Sequence, residues 1–203
     1  RRQLTQRRMR ALRVLAYVQI NIFGILILLF FWQNQRKAGD LSLDDKLFNG
    51  ILLVLVVEQL MDIGQWVLDG AGFAGVYELQ MVFYTVGYAI APLITCLWVM
   101  YCDLRVYMDE RALKRRLPLY LIPLILNTAL LVANLFTPLV FFIDSAHIYH
   151  RDRFFMAYMA LMYLYGFISL VLLVRKAARS TSTVERREFR YMEWFIIPPI
   201  LAG

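Results

Sequence analysis

The sequence predicts an all-α membrane protein, a polytopic helical bundle, and three observations support this prediction. The chain of 203 residues is 61% hydrophobic and only 18% charged, a composition typical of membrane proteins. Apolar segments recur along it, and each is long enough for a helix of about 20 residues to cross a bilayer. Only helices or closed barrels satisfy backbone polar groups in lipid, and these segments are too long for barrel strands.

The apolar segments divide the bundle into six helices. We expect them at about 14–33, 46–69, 77–107, 117–141, 154–177 and 184–203. The first five are complete spans. The sixth has only about ten apolar residues before the sequence stops, too few to cross a bilayer. We therefore expect a truncated sixth span and a native protein of seven spans.

Prolines and a capping motif predict where the later helices begin and bend. Pro92 lies in the middle of the third helix and predicts a kink. Pro118 is expected to open the fourth helix. Ser182 and Glu185 have the spacing of a capping box, which starts the sixth helix directly after Ser182. The pair Pro198-Pro199 then predicts a kink or a break.

The loops predict the orientation of the chain in the cell membrane. Loops 34–46, 103–116 and 175–190 carry 3, 5 and 6 Lys or Arg residues, whereas loops 70–76 and 143–153 carry 0 and 2. The positive-inside rule places the basic loops in the cytoplasm. The N-terminus is then extracellular.

The basic arm at residues 1–13 disagrees with this orientation. It contains six arginines, which favour a cytoplasmic N-terminus. The chain also begins with Arg instead of Met, so we interpret the arm as a non-native junction to a sequence upstream. A native basic arm is the alternative. Residues 14–203 are expected to form one transmembrane domain.

Composition and motifs exclude several function classes. The net charge of +7 comes from residues outside the expected spans, so we predict no nucleic-acid partner. Cys96 and Cys102 are six residues apart on one helix and are expected to be buried packing residues. His147 and His150 are more typical of a surface loop than of a metal site. No enzyme motif is present, so we predict no catalytic residue, metal or cofactor.

The second helix carries the most informative group of residues. Its polar side chains fall within roughly 60° of one another around the helix: Glu58, Asp62, Gln65 and Asp69. A carboxyl group at membrane depth costs about 3 kcal/mol, so such groups usually face a bundle interior and mark a functional site. A purely structural role for Glu58 and Asp62, protonated or bonded to a neighbouring amide, is the alternative.

Polar and aromatic residues from other segments are expected at the same outer half of the bundle. Gln80, Tyr84 and Tyr88 recur every four residues on the third helix, and the loop at 143–153 would roof the region. The tyrosines alone are also typical of packing or of the membrane interface. An outward-facing pocket with these walls would use the following ligand-binding residues: Glu58, Asp62, Gln65, Trp66, Asp69, Gln80, Tyr84, Tyr88 and Gln19.

Three segments carry a resemblance to a known class of proteins. They are Met61–Gly70, the outer segment Phe142–Asp144 followed by Tyr149–Arg151, and the inner segment Tyr107–Arg111. The layout resembles the seven-helix N-terminal membrane sensor modules of bacterial diguanylate cyclases and sensor histidine kinases. The resemblance implies an extracellular N-terminus and a cytoplasmic output domain in the same chain, with two-component or cyclic-di-GMP signalling.

These observations favour a membrane receptor that binds an extracellular small molecule. Because no basic residue lies at the depth of the acids, a cationic or hydrogen-bond-donating ligand is expected. The expected partners are this ligand, the lipid bilayer, the output domain and a second copy of the chain as a homodimer. A proton- or cation-coupled transporter is the main alternative, and a structural subunit of a membrane assembly is the third.

Overall fold

Six helices and one two-stranded hairpin follow one another in the computed structural model. It describes the backbone of residues 2–36 and 42–202 and the side chains of residues 12–35 and 42–194. The elements are α1 (Arg2–Arg36), α2 (Leu43–Leu68), α3 (Val76–Tyr107), α4 (Glu110–Asn134), β1 (Phe141–Ile143), β2 (Tyr149–Arg151), α5 (Phe155–Arg179) and α6 (Thr183–Ala202).

The first five helices are long and apolar enough to cross a membrane. The span in α1 covers Leu12–Gln35, and those in α2 to α5 cover the whole helices. The prediction of a polytopic helical membrane protein is confirmed. Most of the basic arm and the pair at 198–199 have side chains outside the described residues. The backbone of α1 nevertheless begins at Arg2, and that of α6 continues without a break to Ala202.

Helix α3 is the centre of the bundle. It packs against α2, α4 and α5, while α1 lies against α2 and α6 against α5. Helices α2 and α3 approach closely because glycines face each other's side chains. A Cβ atom at Gly64 would lie 2.1 Å from the Phe83 ring, and one at Gly87 would lie 2.4 Å from the Gln65 amide nitrogen. A larger residue at Gly64 would require the Phe83 ring or a helix to move, whereas one at Gly87 would displace the end of the Gln65 side chain.

The predicted bounds of the fourth helix are wrong at both ends. Helix α4 begins at Glu110 because the Asp109 carboxylate accepts from the backbone N–H groups of Arg111 and Ala112, at 2.9 and 3.0 Å. Pro118 therefore lies inside the helix instead of opening it. The helix ends at Asn134, whose side-chain oxygen accepts from three backbone N–H groups of residues 139–141.

The segment expected to be a plain outer loop forms a β-hairpin. Strands β1 and β2 pair antiparallel, with Phe142 opposite His150. The Asp144 carboxylate closes the turn by accepting from the N–H groups of Ala146 and Ile148, at 2.8 and 2.9 Å. His147 adopts a left-handed conformation with φ 58° to complete the reversal. With this turn, two strands of three residues each are enough to form the hairpin.

Ion pairs join the helices at the opposite end of the bundle. The fully buried Asp103 of α3 pairs with Arg116 of α4 at 2.9 Å. Arg105 of α3 pairs with Asp44 of α2 at 3.3 Å and also with Glu188 of α6. Several cations therefore lie inside helices. The polar ends of these helices extend the apolar segments by one or two turns.

Candidate functional site

The hairpin lies across the ends of α2 and α3 and is bonded to both. The Asp69 carboxylate at the end of α2 accepts from the backbone N–H of Tyr149 at 3.1 Å. The carbonyl of His147 accepts from the backbone N–H of Gly70 at 2.5 Å and from the side-chain amide of Gln80 at 2.8 Å. The hairpin thus covers the end of the bundle that carries the polar residues.

Tyr149 connects the hairpin to the aromatic residues of α3. Its ring stacks on Tyr84 with centroids 4.6 Å apart, and its hydroxyl shares a hydrogen bond of 2.5 Å with Tyr88. Burial raises the pKa of Tyr149, so the hydroxyl stays protonated and can donate at neutral pH. Tyr84 and Tyr88 are therefore engaged with the hairpin.

Two carboxylates lie deeper in the bundle on α2. Glu58 and Asp62 are half-buried. Asp62 accepts from the side-chain amide of Asn21 at 2.5 Å, and Glu58 accepts from that of Gln59 at 3.2 Å. Among the described side chains, no Lys, Arg or His forms an ion pair with either carboxylate. Among the described residues, the donors to these two carboxyl groups are neutral side-chain amides.

An aromatic pair lies beside these carboxylates on α1 and α2. Tyr17 stacks on Trp66 with ring centroids 3.9 Å apart and an angle of 10° between the planes. Tyr17 remains exposed and Trp66 is half-buried. The negative faces of such rings attract cations. The α1–α2 surface thus combines carboxylates with an aromatic wall.

The structure brings together most, but not all, of the predicted residues. Gln65 is held against α3, where its amide donates to the Phe83 carbonyl at 3.2 Å. Gln19 lies on an exposed face of α1 and is replaced in the cluster by Asn21, which is 6% exposed. Asn21 lies two residues after Gln19, and two residues along a helix rotate the direction of the side chain by about 200°. The spacing therefore indicates that Gln19 and Asn21 point to different faces of α1.

Apart from Gln19 and Gln65, the predicted residues fall into two groups according to their contacts, which we call the outer layer and the inner layer. The outer layer, Asp69, Gln80, Tyr84 and Tyr88, holds the hairpin in place. The inner layer, Glu58 and Asp62 with Asn21 and Trp66, has hydrogen-bond acceptors and an aromatic face without a cationic partner among the described residues. Within the same part of the chain, no group of three or more His, Cys, Asp or Glu side chains is arranged to hold a metal ion.

These features define a polytopic helical membrane protein with polar residues gathered under a hairpin at one end of the bundle. The model of the family described as the N-terminal 7TM region of histidine kinase matches residues 66–202, and the chain belongs to this family. The chain is thus a membrane sensor module, and its family implies a lipid bilayer and a cytoplasmic output domain as partners.

The match begins at Trp66, so Glu58 and Asp62 lie before the matched segment, whereas the hairpin and α3 to α6 lie within it. A search of curated proteins and a search of solved structures each found no match.

Proposed function

We propose that this sensor module binds an extracellular small molecule at the inner layer of the site, beneath the hairpin. The observation that carries the proposal is the pair of half-buried carboxylates, Glu58 and Asp62, without a basic partner among the described residues. A carboxylate at membrane depth is costly unless a cation or several donors neutralise it. A positively charged ligand would supply the neutralising partner that the described residues of the bundle do not provide.

The chemistry of the inner layer favours an organic cation. A protonated amine would donate to Asp62 and Glu58, and the stacked pair of Tyr17 and Trp66 would contact its substituents through a cation–π interaction. Asn21 would hold the Asp62 carboxylate in position. This arrangement of charge and aromatic surface suits an amine better than an anion or a neutral sugar.

Binding would be transmitted through α3. The hairpin joins α2 to α3 through Asp69 and Gln80, and α3 contacts α5 through the bond between Tyr158 and the Tyr88 carbonyl. A ligand that favours one arrangement of these helices would shift an existing equilibrium between two states. The loop charges favour a cytoplasmic position for the Arg105 end. There, a kinase output domain acting as a homodimer would receive the change.

The experiment measures amine binding to the chain reconstituted in lipid nanodiscs. A panel of primary, polyvalent and quaternary amines is titrated while tryptophan fluorescence is recorded. Asp62→Asn and Glu58→Gln keep the shape of each side chain and remove its charge. We expect each to weaken binding at least about ten-fold, the effect of losing roughly 1.4 kcal/mol of charge-assisted hydrogen bonding.

Glu78→Gln is the matched control because Glu78 is an exposed carboxylate at the start of α3. It removes the same charge near the same membrane face and should leave the affinity unchanged. Saturable binding that survives both Asp62→Asn and Glu58→Gln would contradict the anchoring role. Absence of saturable binding by every amine in the panel would contradict the proposed ligand class.

A further inference from the structure

Two groups can be distinguished among the cations at the Arg105 end of the bundle. Arg105, Arg116 and Lys176 each form an ion pair with a carboxylate of a neighbouring helix. Arg187 and Arg190 on α6 are exposed, and no described carboxylate forms an ion pair with either of them. The first group holds helices together, and the second is directed away from the bundle.

The first three turns of α6 have two distinct faces. Phe189 and Met192 are buried in a cluster with residues of α3 and α5. The opposite face spans roughly 100° of the helix and carries only exposed residues: Arg187, Arg190, Tyr191 and Trp194. Tyr191 and Trp194 are 60% and 66% exposed. This outward face therefore has two guanidinium groups followed by two aromatic rings and contains no acidic residue.

Contacts with α5 determine the depth of the outward face. Lys176 of α5 pairs with Glu185 at 2.9 Å, and Phe189 lies in the same cluster as Leu173. Arg187 and Arg190 are therefore level with the last turns of α5, where its apolar sequence gives way to cations. Trp194 lies about one turn further into the apolar region. Cations at the headgroup level with aromatic rings just below them follow the polarity gradient of a bilayer.

We propose that the outward face of α6 binds an anionic phospholipid of the adjoining leaflet. The Arg187 and Arg190 guanidinium groups donate to the lipid phosphate, for which the planar fork of arginine is suited. Tyr191 and Trp194 contact the glycerol backbone and the upper acyl chain. A lipid matches this face better than a soluble acidic segment does, because the aromatic half of the face requires an apolar partner.

This surface is independent of the proposed amine site, which lies at the other end of the bundle. The lipid would act on α6 from the side opposite to the ion pairs Glu185–Lys176 and Glu188–Arg105. An anionic leaflet would thereby alter the position of α6, with or without an extracellular ligand.

The test uses the 203-residue chain in nanodiscs of zwitterionic lipid with increasing fractions of brominated phosphatidylglycerol, which quenches tryptophan on contact. The difference in quenching between the native chain and Trp194→Phe reports on Trp194. We expect half-maximal quenching at a several-fold lower fraction of brominated phosphatidylglycerol than of brominated phosphatidylcholine. Arg187→Gln with Arg190→Gln should raise that fraction roughly 10- to 30-fold, or abolish the preference.

The matched control removes two arginines from α4. Arg111 and Arg115 are exposed, lie at the same end of the bundle, and are four residues apart. Arg111→Gln with Arg115→Gln changes the net charge equally and should preserve the lipid preference. Arg187→Lys with Arg190→Lys keeps the charge and the fold but loses the planar fork, so several-fold weaker binding is expected.

Four results would overturn the proposal. The first is equal quenching of the native chain by both brominated lipids, and the second is an equal loss of the preference for phosphatidylglycerol in the α4 control. The third is full preference in both the Gln and the Lys variants, and the fourth is displacement of the lipid by millimolar inorganic phosphate. The second would show general charge attraction, and the last would show a site for a free anion.

Discussion

The hydroxyl of Tyr158 on α5 donates a hydrogen bond of 3.0 Å to the backbone carbonyl of Tyr88 on α3. Tyr88 lies four residues before Pro92, which has no N–H to donate to that carbonyl. A side chain of α5 thus replaces a missing backbone donor of α3. Because the Tyr88 hydroxyl also bonds Tyr149, three tyrosines connect the hairpin, the proline site and α5.

Replacing Tyr158 with Phe should destabilise the bundle. The substitution removes only the hydroxyl and leaves the partly buried Tyr88 carbonyl without this donor. An unsatisfied buried acceptor costs about 1–3 kcal/mol. The free energy of unfolding, measured by denaturant titration in detergent, should fall by this amount. Tyr163→Phe, at an exposed position of the same helix, is the control and should have little effect.

A double-mutant cycle with Pro92→Ala separates this cause from a general loss of packing. Alanine at 92 restores the N–H that can bond the Tyr88 carbonyl within α3. The cost of Tyr158→Phe should therefore be smaller in the Pro92→Ala background. Equal costs in both backgrounds would show that the hydroxyl does not compensate for the proline.

The spans could be predicted from hydropathy because a bilayer imposes the length of the apolar segments. The ends of α4 could not be, because Glu110–Leu117 is a polar helical turn that a hydropathy window assigns to a loop. The N-cap at Asp109 and the side-chain acceptor at Asn134 define those ends, and both act through local hydrogen bonds.

The candidate site could also be predicted only in part. The periodicity of α2 places Glu58 and Asp62 on one face of one helix. It does not specify which face of α1 meets them, because Gln19 and Asn21 lie on different faces of α1. The structure places Asn21, and not the expected Gln19, beside Asp62. The hairpin could not be predicted because its strands have three residues each and depend on the turn that Asp144 closes.

Replacing Gly64 with Ala should separate α2 from α3. The added methyl group would lie 2.1 Å from the Phe83 ring, so the ring or a helix must move. Overpacking of this kind costs about 1–3 kcal/mol, to be measured as a lower free energy of unfolding. Gly72→Ala is the control because a Cβ there meets nothing within 4 Å. A Gly64→Ala variant as stable as that control would contradict the close approach of α2 and α3.

Arg105→Gln should loosen α6 from the rest of the bundle. Arg105 joins Asp44 of α2 to Glu188 of α6, so glutamine removes both ion pairs at once. Spin labels at the first turn of α2 and at an exposed site of α6 should report a broader distribution of distances. Arg175→Gln removes an exposed charge of the same sign and should leave the distribution unchanged. A narrow distribution in Arg105→Gln would show that packing alone positions α6.

The turn of the hairpin should depend on pH only under acidic conditions. Hydrogen bonds from the backbone N–H of Ile148, and then from His150, lower the pKa of Asp144 from its ordinary value of 3.8. The pKa of Asp144 is therefore lower in the folded chain than in the unfolded chain. At a pH above the unfolded-state pKa, the carboxylate contributes its full stabilisation to the turn. This stabilisation is lost as pH falls below about 4 and through the folded pKa.

The amide proton shifts of Ala146 and Ile148, followed by NMR from pH 7 to pH 2.5, should therefore stay constant down to about pH 4 and change below it. Asp144→Asn keeps an acceptor oxygen but cannot titrate, so the acidic transition should disappear. Asp144→Ala removes the acceptor as well, so the turn should be loosened at every pH. If the Asp144 carboxyl carbon itself titrates above the ordinary pKa of aspartate, burial and not hydrogen bonding dominates at Asp144.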